Sequence, residues 1–140
     1  MATQSSVRLN IKPEKVIAKA GELLEKNMRI ATIWLRDRVK VKLNVGQPVR
    51  ITKSGAIIGL DPSRPGEPPH KITGQLQNSI GQRVDRTATG IVGVVGTSLK
   101  KGRWLELGTS MMAARPYLRV TLVENRRRIL GILTKGKQVI

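Results

Sequence analysis

The chain has 140 residues, with 26 lysines and arginines against nine aspartates and glutamates, and a formal charge of +17. It has no cysteine and no phenylalanine, and Trp34, Trp104 and Tyr117 are its only aromatic residues. Disulfides and thiolate metal sites are therefore excluded, and the core has to be aliphatic. One domain, residues 1–140, is expected at this length. A charge of this size attracts polyanions: nucleic acid, an anionic membrane or an acidic protein face. No apolar run approaches the roughly 20 residues of a membrane helix, so no membrane association is expected. The N-terminal Met-Ala-Thr-Gln-Ser-Ser lacks the apolar stretch of a secretory signal.

Residues 1–12 read as an extended N-terminal arm. Lys12-Pro13-Glu14 is a helix start, with proline in the first turn and an acid beside it. Val16, Ile17, Ala20, Leu23, Leu24, Met28, Ala31, Trp34, Leu35 and Val39 follow in steps of three and four. That spacing predicts one amphipathic helix to about residue 42, with Trp34 in its core stripe. Lys15, Lys19, Glu22, Lys26, Arg29 and Arg36 take the opposite face. Such a helix, ~45 Å long, would overhang a small domain. Residues 49–52 and 56–60 predict a hairpin turning at Gly55. Residues 61–72 form a Pro-rich loop that can be neither helix nor inner strand. Thr73 reads as the cap of one or two helical turns ending near Ile80. Residues 82–87 and 91–97 predict a second hairpin across Thr89-Gly90, with Val92 and Val94 on one face and Ile91 and Val95 on the other. A short turn then carries Trp104 and Leu105. The last helix is expected to start at Pro116. Leu118, Leu122, Ile129, Leu130 and Leu133 would line one face, with Arg126, Arg127 and Arg128 on the solvent side. Residues 135–140 read as a loose tail. The sum is an α+β fold: a small antiparallel β-sheet packed with a long N-terminal helix and a C-terminal helix.

Nothing in the sequence assembles a catalytic centre, and no enzyme activity, cofactor or metal is expected. His70 is the sole histidine and has no second ligand beside it. Asp37, among Arg36, Arg38 and Lys40, is expected in a salt bridge. The glycines at 90, 93, 96, 102 and 108 match no phosphate-binding pattern and read as bulges or close backbone approaches. Thr97, Ser98, Thr109 and Ser110 offer hydroxyls with no base nearby. Glu106, between Leu105 and Leu107, reads either as an exposed or capping carboxylate or as an ion-pair partner. The arginine would then be Arg115 or one on a neighbouring subunit. The basic surface also suits phosphate contacts, although few aromatics are present for base stacking. A sequence-nonspecific basic DNA-binding protein is accordingly the alternative reading.

Two segments carry a resemblance. The first is Ser-Arg-Pro-Gly-Glu-Pro-Pro-His-Lys-Ile-Thr-Gly-Gln-Leu-Gln-Asn-Ser-Ile at 63–80. The second is Val-Gly-Thr at 95–97, then Trp-Leu-Glu-Leu-Gly-Thr at 104–109 and Met-Ala-Ala-Arg-Pro-Tyr-Leu at 112–118. In order and spacing these are similar to the small tail-completion, or head-to-tail joining (neck), proteins of long-tailed bacteriophages. There the second segment commonly has an aromatic before Gly-Thr and ends in Ala-Arg-Pro-Phe-Leu. Leu107 and Tyr117 depart from that pattern.

The resemblance implies a structural virion protein of the neck or tail, present in the host cytoplasm during assembly. It implies a homo-oligomeric ring, six-fold in many members. The ring would lie between a portal-side adaptor and the tail terminator or tail tube, with double-stranded DNA passing through. Gly108-Thr109 would make a tight turn that Glu106, Arg115 and Tyr117 fix to the sheet or to the adjacent subunit, and Pro116 would start the last helix. The subunit or partner interface would fall on Trp104, Glu106, Gly108, Thr109, Met111, Met112, Arg115, Pro116 and Tyr117. A partner loop would comprise Arg64, Pro65, Gly66, Pro68, Pro69 and His70. Arg126, Arg127 and Arg128 would supply a basic surface toward an acidic partner or the DNA.

Overall fold

The computed structural model describes residues 5–11, 18–44, 49–55, 57–60, 63–69 and 74–136. The strands are β1 (Ser5–Ile11), β2 (Val49–Ile51), β3 (Ile57–Leu60), β4 (Gly81–Thr87) and β5 (Gly90–Thr97). The helices are α1 (Ala18–Lys42), α2 (Gln75–Ser79), α3 (Lys100–Leu107), α4 (Leu118–Glu124) and α5 (Arg126–Lys135). This is the expected α+β architecture.

β5, rich in β-branched residues, is the centre of a three-stranded antiparallel sheet ordered β1-β5-β4. Being central, it is buried along most of its length. β4 reaches it through the predicted hairpin. On its other edge lies β1, with Val7 opposite Val95 and Ile11 opposite Ile91. Residues 5–11, expected as part of an arm, are therefore a sheet strand. The alternation of Val7, Leu9 and Ile11 with Ser6, Arg8 and Asn10 has the period of two that strands require. β2 and β3 form the first predicted hairpin, with an irregularity at Arg50 and Ile51.

α1 crosses β4 and β5, α4 and α5 pack on α1, and α3 and α4 close against β1. The predicted stripe is buried from Met28 onward through Ala31, Trp34, Leu35 and Val39. Leu23 is 57% exposed while Leu24 packs against the core, so only one side of the early turns of this ~37 Å helix is covered. The start at residues 12–14, with Val16 and Ile17, lies outside the described residues. α1 seats closely because β5 has glycine beneath it. A Cβ on Gly93 would lie 2.4 Å from Thr32 Cγ2 and 2.7 Å from Met28 Sδ. Polar groups in this interface are satisfied: Thr32 Oγ1 reaches Gln82 Oε1 at 3.1 Å, and buried Asn27 donates Nδ2–H to Leu133 O at 3.0 Å. Arg38 stacks over Trp34, 5.1 Å from the ring centroid. Asp37 pairs with Arg36 at 2.8 Å, as expected.

Three local expectations are corrected. Residues 100–107 form a helix rather than a turn; Gly102, read as a bulge or a close approach, is there for space. A Cβ on it would lie 2.3 Å from Thr97 Cγ2 and 2.7 Å from Tyr117 Oη. The single last helix is two, broken at Asn125, whose side chain donates to Thr121 O at 2.7 Å. That local bond competes with helical pairing. Leu118, Ile129 and Leu133 are buried as expected and Ile132 joins them, but Leu130 is 50% exposed. Finally, the N-cap of α2 is Gly74 in the left-handed region, with no side-chain cap; Thr73 lies outside the described residues. Lys135 is the last residue of α5 and Gly136 its left-handed C-cap, while residues 137–140 lie outside the described part.

Candidate partner interface

The segment 104–119 folds into a braced joint between α3 and α4. α4 has no side-chain cap of its own, so its first N–H groups need acceptors. Glu106 supplies them from the neighbouring helix. Its Oε2 accepts from Tyr117 N at 2.7 Å and Leu118 N at 2.9 Å, and its Oε1 from Arg119 N at 2.9 Å. The carboxylate thereby sits on the positive end of a helix. Of the two readings of Glu106, the capping carboxylate is realised; the ion pair with Arg115 is not formed. Arg115 instead donates its backbone N–H to Leu105 O at 2.6 Å, while its Nε is buried with no hydrogen-bond partner.

The other end of the joint is equally constrained. Gly108 closes α3 at φ +75°, its N–H donating to Trp104 O at 2.8 Å. A Cβ there would meet Ala114 N and Met112 O at 2.9 Å. Thr109 N donates to Met112 O at 2.8 Å, and Thr109 Oγ1 accepts from Met111 N at 3.3 Å. Tyr117 is fully buried and its hydroxyl donates to Gly102 O at 3.1 Å.

The interface candidates therefore divide. Glu106, half-buried, and Tyr117, buried, serve as internal braces. Gly108, Met112, Arg115 and Pro116 are half-buried. Trp104, Thr109 and Met111 face solvent, Trp104 at 52% and Met111 at 97% exposure. Three surface residues escaped the sequence reading: Leu107, 66% exposed, and the exposed Lys100 and Lys101. They lie three or four residues from Trp104, a spacing that means adjacency only once 100–107 is known to be helical.

The Pro-rich loop is tied to this joint, since Gly66, at φ +85°, donates its N–H to Ala114 O at 2.9 Å. Arg64, Pro65 and Gly66 are exposed, Pro68 half-buried and Pro69 buried; His70 lies outside the described residues. Beside the loop is an open cleft of about 490 Å³, between the end of α1 and the α4–α5 break. The Lys42–Glu124 ion pair, at 2.6 Å, stands in its wall. Arg126, Arg127 and Arg128 are exposed in the first turn of α5, beyond the α4–α5 break from the joint.

Of the hydroxyls noted in the sequence, those of Thr97 and Thr109 serve the frame, while Ser98 and Ser110 are exposed. Thr97 Oγ1 lies 2.7 Å from Ser79 Oγ and accepts from Leu99 N at 3.1 Å. Among the described residues no three His, Asp or Glu side chains gather as metal ligands, and no helix is long and apolar enough to cross a membrane. Compared with protein-family models, with curated proteins and with solved structures, the chain finds no significant match.

Proposed function

We propose that this chain is a structural component of a tailed bacteriophage, a neck or tail-completion subunit that assembles as a ring joining the DNA-filled head to the tail. The observation that carries the reading is the joint at 104–119. This segment, the second of the two that carry the resemblance, uses its polar groups on geometry: Glu106 caps α4, Gly108 and Thr109 make the turn, and Tyr117 locks α3 to α4. Such a frame fixes the angle between elements, buries Leu105, Tyr117 and Leu118, and leaves Trp104, Leu107 and Met111 outward. A heterologous contact between copies, repeated by rotation, closes into a ring. The +17 charge suits docking onto acidic neighbours around a DNA channel. Phage that lack the protein should accumulate filled heads without tails, and purified wild-type particles should contain it. Normal joined particles in its absence would overturn the proposal.

The charge also favours a second reading, a DNA-binding protein indifferent to sequence. That predicts duplex binding whose affinity falls steeply with added salt; absence of binding at low salt removes it.

A further inference from the structure

We propose that the outer face of α3 and the turn after it form a docking site for an acidic protein surface that carries an apolar recess. The inference deepens the structural reading above and rests on it for the setting in which such a partner is met.

Trp104 and Leu107 stand one turn apart on α3, and Met111 is at the tip of the following turn, so three strongly exposed large apolar side chains fall within eight residues. Their exposure does not come from slack. The backbone beneath them is fixed by the Gly108–Trp104 and Thr109–Met112 hydrogen bonds, by the contacts at Gly108 and by Glu106. A surface fixed in advance loses little conformational entropy on binding.

Charge selects the occupant. Between Asp85 and Glu124 the only carboxylate is Glu106, and its oxygens accept three backbone N–H groups. The same stretch carries Lys100, Lys101, Arg103, Arg115 and Arg119. Lys100 and Lys101 precede Trp104 by one turn, on the side of the apolar stripe. They also lie in the first turn of a helix that has no acidic residue there and no side-chain cap. Cations at the positive end of a helix are locally unfavourable, an arrangement that an anionic neighbour relieves. A second copy binding through this same face would bring like charges together. A nucleic acid would stack on aromatics, whereas two of the three apolar groups here are aliphatic. A protein face offering carboxylates around an apolar recess matches both properties.

Trp34 is 4% exposed and Trp104 52% exposed, so Trp104 emission reads this surface. The full chain is titrated at low salt with three synthetic amphipathic helical peptides: leucine with glutamate, leucine with lysine, and serine with glutamate. The Leu/Glu peptide should shift Trp104 emission to the blue and saturate, the Leu/Lys peptide should not bind, and the Ser/Glu peptide should bind at least about tenfold more weakly. The double variant Leu107→Ser, Met111→Ser should lose about tenfold or more in affinity for the Leu/Glu peptide, with unchanged circular dichroism. Met111→Ser alone, at an almost fully exposed position, should lose part of it. Equal binding of the Leu/Glu and Ser/Glu peptides would overturn the inference, as would a double variant that binds like the wild type. Duplex DNA giving the same emission shift at equal affinity would assign the face to nucleic acid. Self-association that the double variant abolishes would assign it to a second copy. In phage complemented with the double variant, particles that contain the protein and join tails normally would leave the neck reading standing and remove the docking site. Saturable peptide binding by a protein never found in particles would do the reverse.

Discussion

Three backbone N–H groups at the start of α4, those of Tyr117, Leu118 and Arg119, converge on one carboxylate from α3. Glu106→Ala leaves all three without their acceptor. Caps contribute ~0.5–2 kcal/mol and hydrogen bonds to a charged group ~1.5–3 each, not additively. The expected loss is about 3 kcal/mol, a large share of the ~5–15 of a typical domain. Glu106→Gln keeps an acceptor oxygen but not the charge, and should lose about half as much. Urea denaturation of the three proteins checks the order; equal stability of Glu106→Ala and wild type would mean that the cap is dispensable. At this scale the sequence is half legible. A carboxylate between Leu105 and Leu107 announces that it needs a partner, but not that the partner is the backbone of another helix. Asn27, buried within the apolar stripe of α1, is similar: its partner, Leu133 O, is 106 residues away.

The elements that sequence reading finds are those with a clear local signal: α1, the two hairpins, the short α2 and, as one helix, the C-terminal pair α4 and α5. β1 is missed because its pairing with β5 is non-local. α3 is missed because it is short and contains Gly102. The α4–α5 break is missed because helix-forming residues continue on both sides of Asn125. Glycine tests the account of how elements dock. Gly93→Ala drives a methyl group into Thr32 and Met28, both almost fully buried, and should cost about 1–3 kcal/mol by overpacking. Gly131→Ala, inside α5 with nothing within 4 Å of the new Cβ, should stabilise by ~0.5–1 kcal/mol through helix propensity. Chemical denaturation of both decides whether packing or propensity governs each site; the same sign for the two would sink the distinction.

The link between α1 and β4 has a pH signature. Glu25 binds Arg29 at 2.8 Å and Arg86 of β4 at 3.0 Å. The Arg29 hydrogen bond foremost, with the Arg86 charge adding to it against some desolvation, holds the Glu25 carboxyl below its ordinary value of 4.5. A carboxyl depressed in the folded state stabilises above its unfolded pKa, and that contribution disappears as pH falls through the folded value. The stability difference between wild type and Glu25→Gln should therefore be small but present near pH 7, vanish in acid, and shrink with salt. A difference that persists unchanged in acid would mean that the carboxylate charge is not its source.

At the scale of the molecule, the total charge was legible from composition, but which cations remain unbalanced was not. Among the described residues Glu25, Asp37, Asp85 and Glu124 already hold cations in ion pairs, and Glu67 and Glu106 accept backbone N–H groups. Little acidic surface is left to offset the net charge of +17, so the isolated chain is strained by its own repulsion, and screening should relieve it. The screening length falls from ~30 Å at 0.01 M salt to ~8 Å at 0.15 M, from about the size of the domain to about one side chain. Thermal unfolding should therefore shift upward by a few degrees across that range, since ~1 kcal/mol moves the midpoint of such domains by roughly 2–8 °C. Sulfate should act beyond its ionic strength if the basic face also binds anions, because ligands of the folded state stabilise it by mass action. A midpoint that stays flat or falls as salt is added would show that the folded chain already balances its charge internally. An acidic neighbour would then find no unbalanced charge on the chain to meet.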